Sequence, residues 1–188
     1  SAASDVYKRQ SNYHAETVVV PPNEANGFEP DPEALKKALD PKVKVVIINN
    51  PNNPTGAIYS RETLEKIAEV LKEAEKEYGH PIYIITDEPY RELVYVDKEI
   101  VFIPDLYDNT IIAYSWSKSL SIPGDRLGYL AVSPKSDNVE EFMAAATVAN
   151  RISGDTNAPS IIQLAVERCL DAQVDIPYYK KNAEDLYK

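Results

Sequence analysis

The stretch "KVVIINNPNNPTGAIYSRETLEKIAEVLKEAEKEYGHPIYIITDE" (44–88) decides the fold. It begins and ends with continuous apolar runs bounded by turn residues, a pattern typical of buried strands. Between the runs, residues 60–79 predict an amphipathic helix with Ser60 as its N-cap, one apolar stripe and Gly79 at its end. A buried strand, a helix and a second buried strand in succession indicate an α/β sheet.

The same alternation continues on both sides of this stretch. The further predicted strands are 16–21, 109–117 and 126–134. The further predicted helices are 31–39, 138–150, 158–170 and one that starts near Pro177 and is still running at Lys188. We therefore expect an α/β fold with three layers, in which a mostly parallel sheet carries helices on both faces.

Composition excludes several classes of function. The net charge is −10 without a basic stripe, which argues against a nucleic-acid partner. No apolar run approaches the roughly 20 residues that a membrane helix needs, so we expect no membrane partner. The single cysteine, Cys169, excludes an internal disulfide framework and favours a reducing, cytoplasmic location. His14 and His80 are far apart, and no spacing typical of metal ligands occurs.

Polar side chains follow three of the predicted strands, at the point where each strand ends. The first of these ends brings Asn53, the second brings Asp87 and Tyr90, and the third brings Lys118. Ligands of open α/β sheets bind outside the carboxyl ends of the strands. If the three strands run parallel, these side chains open on the same edge of the sheet.

Each of these residues also has a common structural role. Taken singly, Asn53 is typical of a turn, Asp87 of a helix cap and Tyr90 of a packed aromatic. Lys118 by itself is typical of a solvated surface lysine. The functional interpretation rests on their joint occurrence at strand ends of one chain.

One cofactor, pyridoxal phosphate, requires this whole set of groups. An amine binds its aldehyde, and a carboxylate keeps its pyridine nitrogen protonated. An amide and a phenol can hydrogen-bond to its ring oxygen. Hydroxyls and a guanidinium suit its phosphate, and Lys118 is surrounded by them at Ser115, Ser117 and Arg126.

Three motifs carry a resemblance to a known family. The segments "NNPNNPTG" (49–56), "TDEPYRELVY" (86–95) and "SWSKSLSIPGDRLGYLAV" (115–132) resemble the class I/II aminotransferases, which depend on pyridoxal phosphate. The order of the motifs and the interval from Lys118 to Arg126 match that family. Any one motif is a weak signal, whereas three in order, within roughly residues 16–188, are a strong one.

The resemblance implies a role for each candidate residue. Lys118 is similar to the lysine that binds the cofactor covalently and moves a proton between the substrate α-carbon and the cofactor C4′ carbon. Asp87 is similar to the partner of the pyridine nitrogen, and Asn53 and Tyr90 to the contacts of the ring oxygen. The phosphate ligands implied by the resemblance are Ser115, Ser117 and Arg126. A cis peptide bond between Asn53 and Pro54 is also implied.

The resemblance also implies the domain organisation. We expect residues 1–10 to be a non-native leader, residues 11–173 to be part of the cofactor-binding large domain, and residues 174–188 to start the helix that leads to a small C-terminal domain. The family has a longer chain, with two more sheet strands, a phosphate loop and a ring-stacking aromatic upstream, and a substrate-binding arginine downstream. We therefore expect an incomplete sheet with unpaired edges, weak or no cofactor binding by this chain alone, and no transamination.

For the intact parent protein, the resemblance implies amino-group transfer from an amino acid to a 2-oxo acid, by a homodimer. Two alternatives stay open. One is a lyase or decarboxylase of the same fold and cofactor. The other is the aminotransferase-like sensor domain of a transcription regulator, which a DNA-binding helix-turn-helix upstream of residue 11 would favour.

Overall fold

The computed structural model describes residues 15–154 and 157–186 and has a parallel-rich sheet at its centre. Its strands are β1 (Pro22–Asn23), β2 (Glu29–Pro30), β3 (Val45–Asn49), β4 (Tyr83–Asp87), β5 (Thr110–Ser115) and β6 (Gly128–Val132). Its α-helices are α1 (Pro32–Ala38), α2 (Arg61–Tyr78), α3 (Val139–Ile152), α4 (Ser160–Glu167) and α5 (Ile176–Leu186). Two 3₁₀ turns, Glu24–Asn26 and Ile103–Asp105, complete the described elements.

The central sheet has the strand order β3-β4-β5-β6. The first three strands are parallel, and β6 runs antiparallel to β5. Asn49 lies opposite Asp87, and Asp87 lies opposite Ala113 on the next strand. The carboxyl ends of β3, β4 and β5 therefore meet at one edge, which confirms the predicted α/β, mostly parallel sheet.

The helix α2 begins and ends at the predicted residues. The Ser60 hydroxyl accepts a hydrogen bond from the backbone N–H of Thr63 at 3.2 Å, as an N-cap does. Gly79 takes a left-handed conformation with φ of 72° and donates its N–H to the Glu75 carbonyl oxygen at 2.9 Å. The apolar stripe of α2 is buried at Leu64, Ile67, Ala68, Val70, Leu71 and Ala74.

The main core lies between α2 and one face of the sheet. Along β4 and the residue before it, burial alternates with a period of two. Ile82, Ile84 and Thr86 are fully buried, and Ile82 and Ile84 share one core with α2. Tyr83 on the other face stacks on Phe142 of α3 with ring centroids 6.4 Å apart. Helices thus lie on both faces, as the sequence predicts.

The predicted strand 16–21 is wrong. Residues 15–21 form no strand, and the side chains of Val18 and Val19 are 59% and 63% exposed. None of the described strands pairs with this segment, and an apolar run becomes a strand only when a neighbour receives its backbone hydrogen bonds. The apolar composition of the run was therefore misleading.

The predicted helix 158–170 is shorter in the structure, where α4 covers Ser160–Glu167. No side chain caps its N-terminus after Pro159. At its C-terminus, the N–H of Cys169 bonds to the Val166 carbonyl oxygen, so the chain tightens into successive turns.

Two predictions fall outside the described residues. They are the leader at 1–10 and the continuation of α5 to Lys188.

The edge strands of the central sheet expose apolar side chains, with Val45 and Ile47 on β3 and Leu130 on β6 at 41–50% exposure. Among the described residues, no helix combines the length and apolar character that crossing a membrane requires.

Gly128 is required where β6 passes β5. A Cβ atom at Gly128 would lie 2.5 Å from the Tyr114 carbonyl oxygen and 3.1 Å from the Ser115 Cβ. We expect Gly128→Ala to lower the free energy of unfolding by about 1–3 kcal/mol, because the two strands would have to separate. Urea denaturation measures this. Gly124→Ala is the control, since open space surrounds Gly124; equal losses for both variants would contradict the close approach.

Candidate active site at the carboxyl edge of the sheet

The carboxyl ends of three parallel strands bring the candidate residues to one edge. Asn53 lies in the turn after β3, Asp87 is the last residue of β4, and Lys118 lies in the turn after β5. The side-chain amide of Asn53 donates a hydrogen bond to the Tyr90 hydroxyl at 2.8 Å. The Lys118 Nζ lies 5.7 Å from the centroid of the Tyr90 ring, within the range of a cation–π contact. Tyr90 thus connects the amide with the amine.

The turn after β3 is held by its own side chains. The Asn53–Pro54 peptide bond is cis, as the resemblance implies, and so is the Asn50–Pro51 bond. The Asn52 side-chain oxygen accepts a hydrogen bond from the Thr55 hydroxyl at 2.8 Å, in the manner of an Asx turn. The turn therefore presents the Asn53 amide in a defined position.

Asp87 is partly buried at the end of β4, and burial raises the pKa of its carboxyl group above the ordinary value. The side-chain amide of Asn49 on β3 donates to the Asp87 carbonyl oxygen at 3.0 Å and to its carboxylate Oδ2 at 3.3 Å. Asp87 forms no ion pair with any residue of 15–154 or 157–186. Its carboxylate is thus available to a cationic ligand atom.

Glu88 supports the turn that carries Tyr90. Its side chain is buried, where Oε1 accepts a hydrogen bond from the Thr86 hydroxyl at 2.9 Å and Oε2 lies 3.2 Å from the Arg91 guanidinium. Burial raises the pKa of Glu88, and the positive charge of Arg91 opposes that rise. This arrangement anchors residues 88–91 beneath the site.

The turn that carries Lys118 rests on an aromatic cluster. Tyr114 contacts Trp116 and Tyr129, with ring centroids 5.5 and 5.2 Å away. The Tyr114 hydroxyl shares a hydrogen bond of 2.9 Å with the Ser119 hydroxyl, next to Lys118. Burial raises the pKa of Tyr114 to about 12, so the phenol stays protonated over the physiological range.

The candidate phosphate ligands lie on the two sides of this turn but do not contact one another. Ser115 ends β5 beside Gly128, and Ser117 precedes Lys118. Arg126 has a positive φ of 54° and donates from Nη1 to the Pro123 carbonyl oxygen at 2.9 Å. Within the described part of the chain, the Arg126 guanidinium forms no ion pair, and the hydroxyls of Ser115 and Ser117 form no hydrogen bond.

The donor set fits pyridoxal phosphate. An unpaired carboxylate suits a protonated ring nitrogen, and a hydrogen-bonded amide and phenol suit a ring oxygen. A lysine amine next to them suits an aldehyde. Two hydroxyls and an exposed guanidinium near the same lysine suit a phosphate.

Comparison with known proteins decides the family. The family model "Aminotransferase class I and II" matches residues 7–188. The chain belongs to this aminotransferase family. A crystal structure of an aminotransferase from Eubacterium rectale superposes with a TM-score of 0.84 and 43% sequence identity, covering 89% of this chain and 42% of that one.

Curated relatives of this aminotransferase-family chain agree with that likeness. The chain is 32% identical to the aspartate/prephenate aminotransferase of Thermus thermophilus over 164 residues, which are 86% of this chain and 39% of the relative. It is 39% identical to the aspartate aminotransferase of Bacillus subtilis over 143 residues, which are 74% of this chain and 33% of the relative. The chain thus spans about a third to two-fifths of the length of these relatives.

Three residues of the site were missed in the sequence. Asn49 joins Asp87 to the turn of Asn53, Glu88 anchors the Tyr90 turn, and Ser119 ties the Lys118 turn to Tyr114. A usable signal existed for Asn49 alone. Asn49 is the last residue of an apolar strand. If that strand pairs in parallel with the strand that ends at Asp87, the side chains of Asn49 and Asp87 lie on the same face of the sheet.

Asp87 lowers stability at neutral pH, because its pKa is raised in the folded state. The folded protein then binds the proton more tightly than the unfolded chain, so stability falls as pH rises from the ordinary value of 3.8 through the raised pKa. We expect Asp87→Asn to raise the urea midpoint at pH 7 and to lose this gain below pH 3.8. Asp97→Asn in an exposed loop is the control; a gain that persisted unchanged at low pH would contradict the assignment.

Proposed function

We propose that this chain is the cofactor-binding part of a pyridoxal phosphate-dependent aminotransferase, which transfers an amino group from an amino acid to a 2-oxo acid. The observation that carries the proposal is the meeting of Asp87, the Asn53–Tyr90 pair and Lys118 at one edge of the sheet. In a chain of this family, that edge has the groups that the chemistry requires.

The bound cofactor supplies an electron sink for charge that develops at the substrate α-carbon. Asp87 would hold the ring nitrogen, and the Asn53 amide and Tyr90 phenol would hold the ring oxygen. Lys118 would bind the aldehyde carbon. The phosphate would be held by Ser115, Ser117 and Arg126.

Lys118 acts as both the covalent anchor and the proton carrier. Its Nζ lies 5.7 Å from the centroid of the Tyr90 ring, at the edge where the ring-oxygen ligands meet. With the cofactor bound, the Lys118 amine would take a proton from the substrate α-carbon as a general base. The hydrogen bond between Tyr114 and Ser119 limits movement of the turn, so that the amine stays in reach.

Asp87 orients the cofactor by charge. Burial alone favours the neutral carboxyl group and raises its pKa. With the cofactor bound, the positive charge of the ring nitrogen would oppose this rise, because an opposite charge lowers the pKa of a carboxyl group. The same burial strengthens the attraction between the two charges, since little water screens them.

The Arg126 guanidinium would hold the phosphate after a change of rotamer. Its guanidinium is exposed and bound only to the Pro123 carbonyl oxygen within the described residues. A phosphate is a stronger partner than a neutral carbonyl, because the hydrogen bonds are then charge-assisted and bidentate. We infer that the side chain turns from Pro123 to the phosphate when the cofactor binds.

The relatives suggest the substrate to test first. Several are named aspartate aminotransferases, and one solved neighbour is an alanine aminotransferase from Pyrococcus furiosus. Aspartate with a 2-oxo acid is therefore the first pair of substrates, followed by alanine. We propose a homodimer for the full-length protein, as the resemblance implies, and no turnover by the present chain alone.

The covalent role of Lys118 can be tested in the full-length reading frame that carries these residues. We expect borohydride reduction with pyridoxal phosphate to place the label on Lys118, as shown by peptide mass spectrometry. Lys118→Ala should abolish the label and lower transamination by at least about a thousandfold, because both the anchor and the base are lost. Lys135→Ala, an exposed lysine after β6, is the control and should keep both properties. A label on another lysine would contradict the assignment.

The reaction type is tested with the same full-length protein. We expect an amino donor to yield its 2-oxo acid and an aminated cofactor in equal amounts, measured by absorbance and chromatography. Release of free ammonia or carbon dioxide instead would contradict the aminotransferase and favour the lyase or decarboxylase.

A further inference from the structure

Asn49 is the residue at which the two halves of the candidate site meet. It ends β3 and lies opposite Asp87 in the sheet register. Its Oδ1 accepts a hydrogen bond from the backbone N–H of Asn53 at 2.7 Å. Its Nδ2 donates to the Asp87 carbonyl oxygen at 3.0 Å and to the Asp87 Oδ2 at 3.3 Å. One amide therefore contacts both the carboxylate and the turn of the ring-oxygen ligand.

The orientation of the Asn49 amide is fixed by chemistry. A backbone N–H can only donate, so the Asn49 atom that faces the Asn53 N–H has to be the oxygen. The amide nitrogen then has to face Asp87, where a carbonyl oxygen and a carboxylate oxygen both accept. In a flipped amide, the Asn49 NH₂ group would face the Asn53 N–H, and two donors would meet. The Asn49 oxygen would face the two Asp87 oxygens, and only acceptors would meet.

We propose that Asn49 is a positioning residue, which locks the Asp87 carboxylate and the Asn53 turn into one rigid unit and keeps Asp87 in its ionised form. The proposal rests on the proposed function, because it concerns the groups that hold the cofactor ring. Asn49 does not touch the reacting atoms in this account. It acts on them through Asp87 and Asn53.

The electrostatic part of the role follows from the surroundings of Asp87. Burial favours the neutral carboxyl group. On β5 the register partner is the uncharged Ala113, and the adjacent Glu88 adds a carboxylate that repels a second negative charge. The Asn49 N–H is therefore the group on the neighbouring strand that stabilises the ionised Asp87.

Two substitutions separate the two ends of the amide. Asn49→Asp keeps an oxygen for the Asn53 N–H but replaces the donor by a second negatively charged acceptor. Asn49→Leu has a similar size and removes both the acceptor and the donor. Asn49→Asp raises the pKa of Asp87 by repulsion in any case, so Asn49→Leu, which adds no charge, is the variant that tests the donor.

The first measurement needs no cofactor. The pKa of Asp87 is read from its carboxyl ¹³C shift in NMR titrations of the 188-residue chain. We expect both variants to raise this pKa by about one unit, since a hydrogen bond to the charged form is lost. Asn26→Ala, at an exposed residue of the first 3₁₀ turn, is the control and should leave the pKa of Asp87 unchanged.

The second measurement uses the full-length reading frame and pyridoxal phosphate as the probe. We expect Asn49→Leu to weaken binding roughly tenfold or more, the factor that corresponds to one pKa unit, while Asn26→Ala stays within a fewfold. Circular dichroism checks that each variant folds. A variant that does not fold is replaced by Asn49→Ser, which keeps a hydroxyl acceptor and is expected to shift the pKa in the same direction.

The outcomes distinguish this inference from the proposed function. An unchanged or lowered pKa of Asp87 in Asn49→Leu would overturn the role of Asn49, whether or not the cofactor binds. Failure of the unsubstituted full-length protein to bind pyridoxal phosphate would contradict the proposed function. The NMR titration would then still decide whether Asn49 acts on Asp87.

Discussion

The site depends on the register of three parallel strands. In that register, Asn49, Asp87 and Ala113 lie side by side on β3, β4 and β5. Because the strands are parallel, the residues that follow them leave the sheet at the same edge. A shift of one residue in either pairing would turn Asp87 or Asn49 to the opposite face and separate the groups of the site. The packing of α2 with Ile82 and Ile84 fixes the register by burying alternate residues of this segment.

The same edge of the sheet contains buried carboxyl groups, which lower the free energy of unfolding. A carboxyl group is partly buried at Asp87, and a second one is buried at Glu88 beside Arg91. Polar groups in such positions are retained where they bind or react, since an apolar substitute would fold with less penalty. The aromatic cluster of Tyr114, Trp116 and Tyr129 supplies apolar contacts next to the Lys118 turn, so the turn is held without a charged partner for the lysine.

Local signals were enough to predict most elements of the fold. The strands β3, β4 and β5 follow from apolar runs, and α2 follows from its stripe and its caps at Ser60 and Gly79. The segment 16–21 has an equally apolar composition but forms no strand, because strand formation depends on a partner that local composition does not specify. The limits of α4 depend in the same way on how its ends are capped.

The sequence predicted those residues of the candidate site that belong to a recognisable motif. Asn53, Asp87, Tyr90 and Lys118 stand out because they follow strands and because the family motifs contain them. The roles of Asn49, Glu88 and Ser119 depend on strand register and on which rotamers bring hydrogen-bonding atoms together. For Asn49 the end of an apolar strand was a usable signal, whereas no sequence pattern indicates the contacts of Glu88 and Ser119.

A crystal structure of the full-length protein grown with pyridoxal phosphate decides whether this edge of the sheet is the cofactor site. We expect electron density that is continuous from the Lys118 Nζ to the cofactor, with the Asp87 carboxylate within hydrogen-bonding distance of the ring nitrogen. We also expect Asn53 and Tyr90 to face the ring oxygen. A cofactor bound elsewhere, or bound at this edge with Asp87 away from the ring nitrogen, would contradict the account.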